Sequence, residues 1–211
     1  VAPARGERVI ASQARPRSRR GEGDQLRREI LEKTAGLLAT TADEEAVSIR
    51  AVAQAVGVTP PSIYLHFADK DDLIRAVCEQ TFELFDRFVE ERVSGIDDPI
   101  VQLAERGRAY IAFGVQHPEH YRVLFMGKVR THEQHGTVEI SGFAHLFDNV
   151  ERCIADGSIA SRDPVLVATG LWTLVHGITS LAVSLPGYAE AGLDQLIEHM
   201  LDVYRRGLAG P

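Results

Sequence analysis

The sequence predicts an all-α protein of about nine helices, with a three-helix N-terminal head on a larger helical body. Three observations carry this. From Asp24 onward, apolar residues recur at helical spacing in nearly every segment. Short punctuation by Gly, Pro, Ser, Thr and Asp separates those segments. No stretch shows the alternation expected of a half-buried strand.

Residues 1–22 are rich in Arg, Ala, Gly, Pro and Ser without periodicity, and read as a disordered basic arm. Leu26, Ile30, Leu31, Leu37 and Leu38 mark a first helix to about Thr41, with Asp24 as its expected N-cap. An acidic loop, Ala42 to Val47, leads to Ser48, the expected cap of a second helix, Ile49–Val56, ending at Gly57. Thr59 then caps a short third helix that begins with Pro60 and ends near His66. Asp69, with Asp72 three residues on, resembles a capping box at the start of a long fourth helix. Its stripe of Leu73, Ile74, Val77, Leu84, Phe85, Phe88 and Val89 runs to about Val93. Further helices are expected over roughly 99–116, 118–126, 137–156, 163–185 and 190–208.

Composition narrows the class. With 211 residues, 45% hydrophobic and 25% charged, the chain reads as an ordinary soluble globular protein. No apolar run approaches the roughly 20 residues that span a bilayer, so no membrane partner is expected. No apolar core follows the N-terminal basic residues, so no signal peptide is expected. Cys78 and Cys153 lack metal-ligand spacing and read as reduced thiols of a cytoplasmic protein. The net charge of -7 is unevenly placed. Residues 1–20 hold six arginines against Glu7, a charge of +5, which leaves -12 on the rest. That arm is either a solvated terminus or a source of phosphate and minor-groove contacts.

The segment from Ser48 to Phe67 has the physics of a helix-turn-helix. Ile49, Val52, Val56, Val58, Ile63 and Phe67 supply a small core, and Ala53 leaves room for a crossing helix. Gly57 can take the left-handed conformation that joins two helices within three residues. Thr59 can satisfy free amides at the new helix start, and Pro60 suits the first position, which needs no N–H. The second helix of such a pair enters the major groove. Here it opens with Thr59, Pro60, Pro61 and Ser62, short groups that can approach base edges and thymine methyls. Tyr64 and His66 can donate to phosphates, and Lys70 adds a cation to the positive end of the fourth helix. The alternative is a structural helix pair in which Tyr64 and Phe67 are core aromatics.

The stretch from Ala53 to Phe67, followed by Asp69-Lys70-Asp71-Asp72-Leu73, resembles the TetR family of regulators. In that pattern a Gly-Val turn precedes a Tyr-x-His-Phe helix and a Lys-acid-x-Leu helix start. The resemblance covers about 50 residues, Leu26 to Ile74. It implies that Arg50 reads bases from the helix before the turn, that Pro60, Pro61, Ser62 and Tyr64 face the groove, and that Ser48, Tyr64, His66 and Lys70 anchor phosphates. Leu65 stands where the family commonly has a larger polar or aromatic residue. The implied domains are a DNA-binding head over 23–70 and a ligand-binding, dimerising body over 71–211. The implied protein is a homodimer on a palindromic operator in double-stranded DNA, and a repressor released by a small-molecule effector.

For the body, the resemblance implies that the last two helices pair with their copies. Segment 165–185 is apolar around much of its circumference and carries Ala168, Gly170, Gly177 and Ala182, as close helix approach requires. The alternative is a buried core helix of a monomer. Trp172-x-x-x-His176-Gly177 resembles a signature of one subgroup of TetR C-terminal domains, lining a pocket or an interface. Tyr110, Phe113, Tyr121, Phe125, Met126, Phe143 and Phe147 join Trp172 and His176 as pocket candidates, or are simply core aromatics. Such a pocket should be mostly apolar. His117/His120 and His132/His135 have i,i+3 spacing, but they lie near helix breaks with no third ligand in view, so no metal is expected. No phosphate-binding glycine loop, Gly-x-Ser-x-Gly or Cys-x-x-Cys is present, so neither enzyme nor cofactor is indicated. Rival readings are an activator or architectural DNA-binding factor, a helical ligand-binding or enzymatic protein whose head no longer binds DNA, and a structural bundle.

Overall fold

The computed structural model describes residues 22–41, 43–126, 141–160, 163–185, 187–188 and 192–208. Residues 1–21 of the basic arm, His132 and His135 lie outside them, and Glu22, read as the arm's last residue, begins the first helix. Among the described residues there are nine α-helices, one 3-10 turn and no strand.

The head comprises α1 (Glu22–Thr41), α2 (Ile49–Val56), α3 (Pro60–Ile63) and the start of α4 (Lys70–Val93). Helix α1 begins two residues before Asp24, so Asp24 sits within its first turn and is not its N-cap. Ile30, Leu31, Thr34 and Leu38 form its buried face, and the Thr34 hydroxyl donates to the Ile30 carbonyl at 2.7 Å. The head core adds Val47, Val52, Ala53, Ile63, Phe67, Leu73, Ile74, Val77 and Cys78, with Ile49, Val56 and Val58 packed on it.

The body follows as α5 (Pro99–Gln116), α6 (Pro118–Phe125), α7 (Ser141–Ala155), α8 (Pro164–Ser184) and α9 (Leu193–Leu208). Capping carboxylates start two of them: Asp98 accepts from the amides of Ile100 and Val101, and Asp163 from that of Leu166. Helices α4, α7, α8 and α9 pack around α5, the central element of the body. Cys78 and Cys153 are buried and form no disulfide, and burial pushes Cys153 up to about 11.

Two features tie head to body. Helix α4 is one unbroken 24-residue rod: its first half buries Leu73, Ile74, Val77 and Cys78 in the head core, its second half Phe85 and Val89 in the body core. Helix α6 lies against α1 and sends Val123 into the head core, while Tyr121 on the same helix is buried in the body. At the α5–α8 crossing Gly114 is essential to the approach: a Cβ there would lie 2.1 Å from the Thr179 methyl carbon.

Helix α8 differs from the sequence expectation in one respect. It carries no Asp, Glu, Lys or Arg over 21 residues, and its length and hydropathy would suffice to cross a membrane. Thr, Gly, His and Ser are interspersed along it, which hides its overall apolar character in the sequence. In the fold it packs on α5, α7 and α9 as a bundle helix.

Candidate nucleic-acid interface and body cavity

The helix-turn-helix is built by local hydrogen bonds that its sequence dictates. The Ser48 hydroxyl accepts from the Ala51 amide at 3.1 Å and fixes the start of α2. Gly57, at φ 79° and ψ 32°, ends it. The Val58 amide donates to the Ala53 carbonyl and the Gly57 amide to that of Gln54, the paired bonds of a Schellman turn. This turn swings the chain directly into Thr59 and α3.

Two local expectations are corrected. The Thr59 side chain makes no cap bond to a backbone amide; its hydroxyl pairs with that of Ser62 at 3.0 Å. Regular α-helix also ends at Ile63 and not near His66. Residues 64–66 continue as a turn in which the His66 amide bonds the Ile63 carbonyl, an i→i+3 bond tighter than the helical one. The turn aims Phe67 inward, where it is 2% exposed, and leaves Tyr64 outward at 54%.

The outer surface of this unit therefore holds Arg50, Thr59, Pro60, Pro61, Tyr64 and Leu65 as exposed side chains, with Ser62, His66 and Lys70 half-buried beside them. Ser48 is exposed too, although its hydroxyl is engaged in the cap. Leu65 is 84% exposed, an apolar group with no intramolecular burial to account for it. Asp69 accepts from the Asp72 amide at 2.8 Å, and the Asp72 carboxylate accepts from the Ala68 amide at 2.9 Å. That amide, with Arg75, holds the Asp72 carboxyl below its usual value. The reciprocal pair locks the first turn of α4 and with it Lys70. Sequence reasoning missed Arg27, whose guanidinium sits 4.9 Å from the centre of the Phe67 ring and joins α1 to the same surface. The signal was available, since Leu26 and Ile30 face the core and place Arg27 beside that face.

In the body, a cavity of about 80 Å³, partly open to solvent, lies between α4, α5, α7, α8 and α9, with Phe125 of α6 in its wall. Its walls are mainly apolar. Of the predicted residues, Tyr110, Phe125, Phe143 and Trp172 line it, joined by Phe85, Val89, Leu103, Leu146, Leu171, Val175 and Leu201. The others lie elsewhere. Phe113 is fully buried, packed edge-on against Phe85 and Phe88. Met126 packs against the same aromatic core, and Phe147 against the α7 cluster of Val150 and Cys153. Tyr121 and His176 form the layer behind the wall: the Tyr121 and Tyr110 hydroxyls converge on Nδ1 of His176 at 2.9 and 3.2 Å. Burial depresses the proton affinity of His176. Burial also pushes Tyr121 up to about 12 and Tyr110 higher still. Trp172 stacks at 5.5 Å on His176, placing the Trp-x-x-x-His pair across one wall of the cavity.

Three charged residues face the cavity that sequence reasoning did not select: Asp86, Glu90 and Arg106. Arg106, 9% exposed, is paired with Glu90 at 2.5 Å, and Nδ1 of His145 lies 3.0 Å from the same carboxylate oxygen. Burial raises the Asp86 carboxyl above its usual value. Asp86 and Glu90 flank the apolar stripe of α4 at i,i+4 spacing, and that placement was the legible signal.

Comparison with known proteins agrees with this arrangement. Residues 30–77 match the family model described as bacterial regulatory proteins, tetR family, and residues 103–204 match the tetracyclin repressor-like C-terminal domain. No curated protein matches the sequence. Among solved structures, a TetR family transcription regulator from Marinobacter aquaeolei VT8 superimposes with a TM-score of 0.75 at 22% identity, covering 92% of this chain and 100% of that one. AibR, in complex with isovaleryl coenzyme A and operator DNA, gives 0.70 at 20% identity over 84% of this chain and 97% of its own. The fatty acid degradation regulator FadR from Bacillus halodurans gives 0.66 at 14% identity over 89% and 96%. With a helix-turn-helix head and a repressor-like body both matched, the chain belongs to the TetR family of DNA-binding transcriptional regulators.

Proposed function

We propose that this regulator is a homodimeric, non-enzymatic repressor acting in the bacterial cytoplasm, held on a palindromic operator until a small molecule fills the body cavity. The observation that carries the reading is α4: one continuous helix places Phe85 and Val89 in the cavity wall and Leu73, Ile74 and Val77 under the DNA-facing unit. An effector that favours a different seating of Phe85 shifts the head with it, and linkage converts the difference in effector affinity into a loss of operator affinity. Residues 23–70 supply the reading surface, with Arg50, Pro60, Pro61, Ser62 and Tyr64 toward the bases and Ser48, His66 and Lys70 on phosphates. Residues 71–211 supply the cavity and the dimer.

An exposed ridge supports the dimer. Val165, Thr169, Thr173, Gly177, Leu181 and Leu185 stand four apart along α8, all exposed and all uncharged. Gln195, His199, Val203 and Gly207 form a parallel exposed row on α9. Rows at i±4 are the ridges by which helices interlock, and a second copy related by a two-fold axis presents the same pair. The effector is a compact apolar molecule with a polar group that meets the Arg106–Glu90 pair. AibR, with its acyl thioester ligand, offers one precedent for such a body on operator DNA.

The test is selection of bound genomic fragments by the purified protein, then gel shifts on the recovered site. Arg50→Ala and Tyr64→Ala should each weaken specific binding by about 1–3 kcal/mol if they touch base edges. Specific binding unchanged in the double variant would remove the proposed reading surface. Operator affinity unaffected by every ligand that saturates the cavity would remove the switch.

A further inference from the structure

We infer that His117, Glu119 and His120, at the corner where α5 passes into α6, form a binding site for a divalent transition metal ion of the Zn²⁺ class. The sequence shows His117 and His120 without a third ligand; the fold supplies it from between them. One ligand atom from each of the three side chains lies within 4.8 Å of the other two. A tetrahedral Zn²⁺ needs its nitrogen and oxygen ligands about 3.4 Å apart, so the side chains would draw together by up to about 1.4 Å around an ion.

The backbone is already fixed. The His117 amide donates to the Phe113 carbonyl at 2.8 Å, and its own carbonyl accepts from the Tyr121 amide at 3.0 Å. Pro118 then restricts the first turn of α6. The His117 ring is seated against Phe113 and Phe88 at 5.2 and 5.7 Å. His120 Nδ1 is shielded from solvent and makes no hydrogen bond, lying 3.7 Å from a Glu119 oxygen. An imidazole nitrogen left without a hydrogen-bond partner beside a second imidazole and a carboxylate is the arrangement a metal ion satisfies. Glu119 is exposed, so the fourth coordination position is open to water. Two imidazoles and one carboxylate suit Zn²⁺, Co²⁺, Ni²⁺ or Cu²⁺, not Ca²⁺ or Mg²⁺, which take oxygen shells.

The corner is also well placed to matter. Helix α6, which an ion there would pin at its first turn, is the body helix that lies against α1 of the head. The site is separate from the cavity and does not depend on what fills it.

The full-length protein, stripped with chelator and dialysed, is titrated with Co²⁺ and followed by the visible absorption of a four-coordinate ion, then competed with Zn²⁺. Expected is a single ion per chain, displaced by Zn²⁺. His120→Gln and Glu119→Gln should each weaken binding at least about tenfold. A His132→Gln/His135→Gln variant should bind as the parent does. Exposed Glu119 keeps the test usable if His120→Gln fails to fold. Absence of binding at submillimolar Co²⁺ and Zn²⁺, undiminished binding in Glu119→Gln, or loss of binding only in the His132/His135 variant would each overturn the site. None of these outcomes bears on operator binding.

Discussion

Replacing Gly114 by Ala probes the α5–α8 crossing that holds the Tyr110–Tyr121–His176 layer behind the cavity. The added Cβ would sit 2.1 Å from the Thr179 methyl and 3.0 and 3.3 Å from Tyr121 ring carbons. Thr179 is fully buried, and its hydroxyl donates to the Val175 carbonyl at 2.7 Å, so turning the side chain away sacrifices that bond. Alanine gains about 1 kcal/mol over glycine within a helix. Against this stand overpacking, about 1–3 kcal/mol, and the lost hydrogen bond, about 1 kcal/mol. The expected net is a destabilisation of about 1–3 kcal/mol. Gly36→Ala is the control: Gly36 is exposed on α1 with nothing within 4 Å of its added carbon, so the helical gain stands alone and the variant should be more stable than the parent. Urea unfolding at matched protein concentration reads both, since the proposed dimer would make stability depend on concentration. Gly114→Ala at or above parental stability would mean that the two helices do not approach so closely, and the layered wall behind the cavity would have to be redrawn.

Leu181→Glu places a carboxylate toward the C-terminal end of the uncharged α8 ridge, where Leu181 is 45% exposed in the single chain. Sedimentation should then report a monomer with intact helicity and weakened operator binding, and a persisting dimer would exclude that ridge from the interface. For His176, burial holds the folded proton affinity below the ordinary value of 6.5, so the unfolded chain takes up the proton first as pH falls. Its contribution to stability is complete above 6.5 and is lost as pH falls toward the lower folded value, while the phenols of Tyr110 and Tyr121, the groups on its Nδ1, stay protonated. His176→Gln should flatten urea-derived stability between neutral and mildly acidic pH, and an unchanged pH slope would assign that dependence to other groups.

Helices and turns were the legible part of the sequence, because their causes are local. Ser48, Gly57 and Asp69 act on amides or dihedrals a few residues away, and the fold uses each as its chemistry suggests. Thr59 failed for an equally local reason: Ser62, one turn later, competes for its hydroxyl. The cavity was only half legible. Aromatic residues announce a packed interior, yet nothing local separates Phe113, enclosed by its neighbours, from Phe125, at the cavity edge. That difference arises from how five helices meet. Arg106 escaped notice for the same reason, since its partner Glu90 is sixteen residues away on another helix. The His117–Glu119–His120 cluster escaped because spacing alone does not say which way three side chains turn at a corner.

The continuity of α4 sets a mechanical scale for any signal. With 24 residues it is about 36 Å long, so a pivot of 5° at the cavity end sweeps the tip bearing Lys70 through about 3 Å. In a two-fold pair both tips swing, and the separation of the two reading helices changes by up to twice that, against a half-site repeat of about 34 Å. On the proposed reading, a molecule that merely nudges Phe85 works a lever whose long arm ends at the phosphates, and a shift too small to disturb the packing around it puts both heads out of step with the groove.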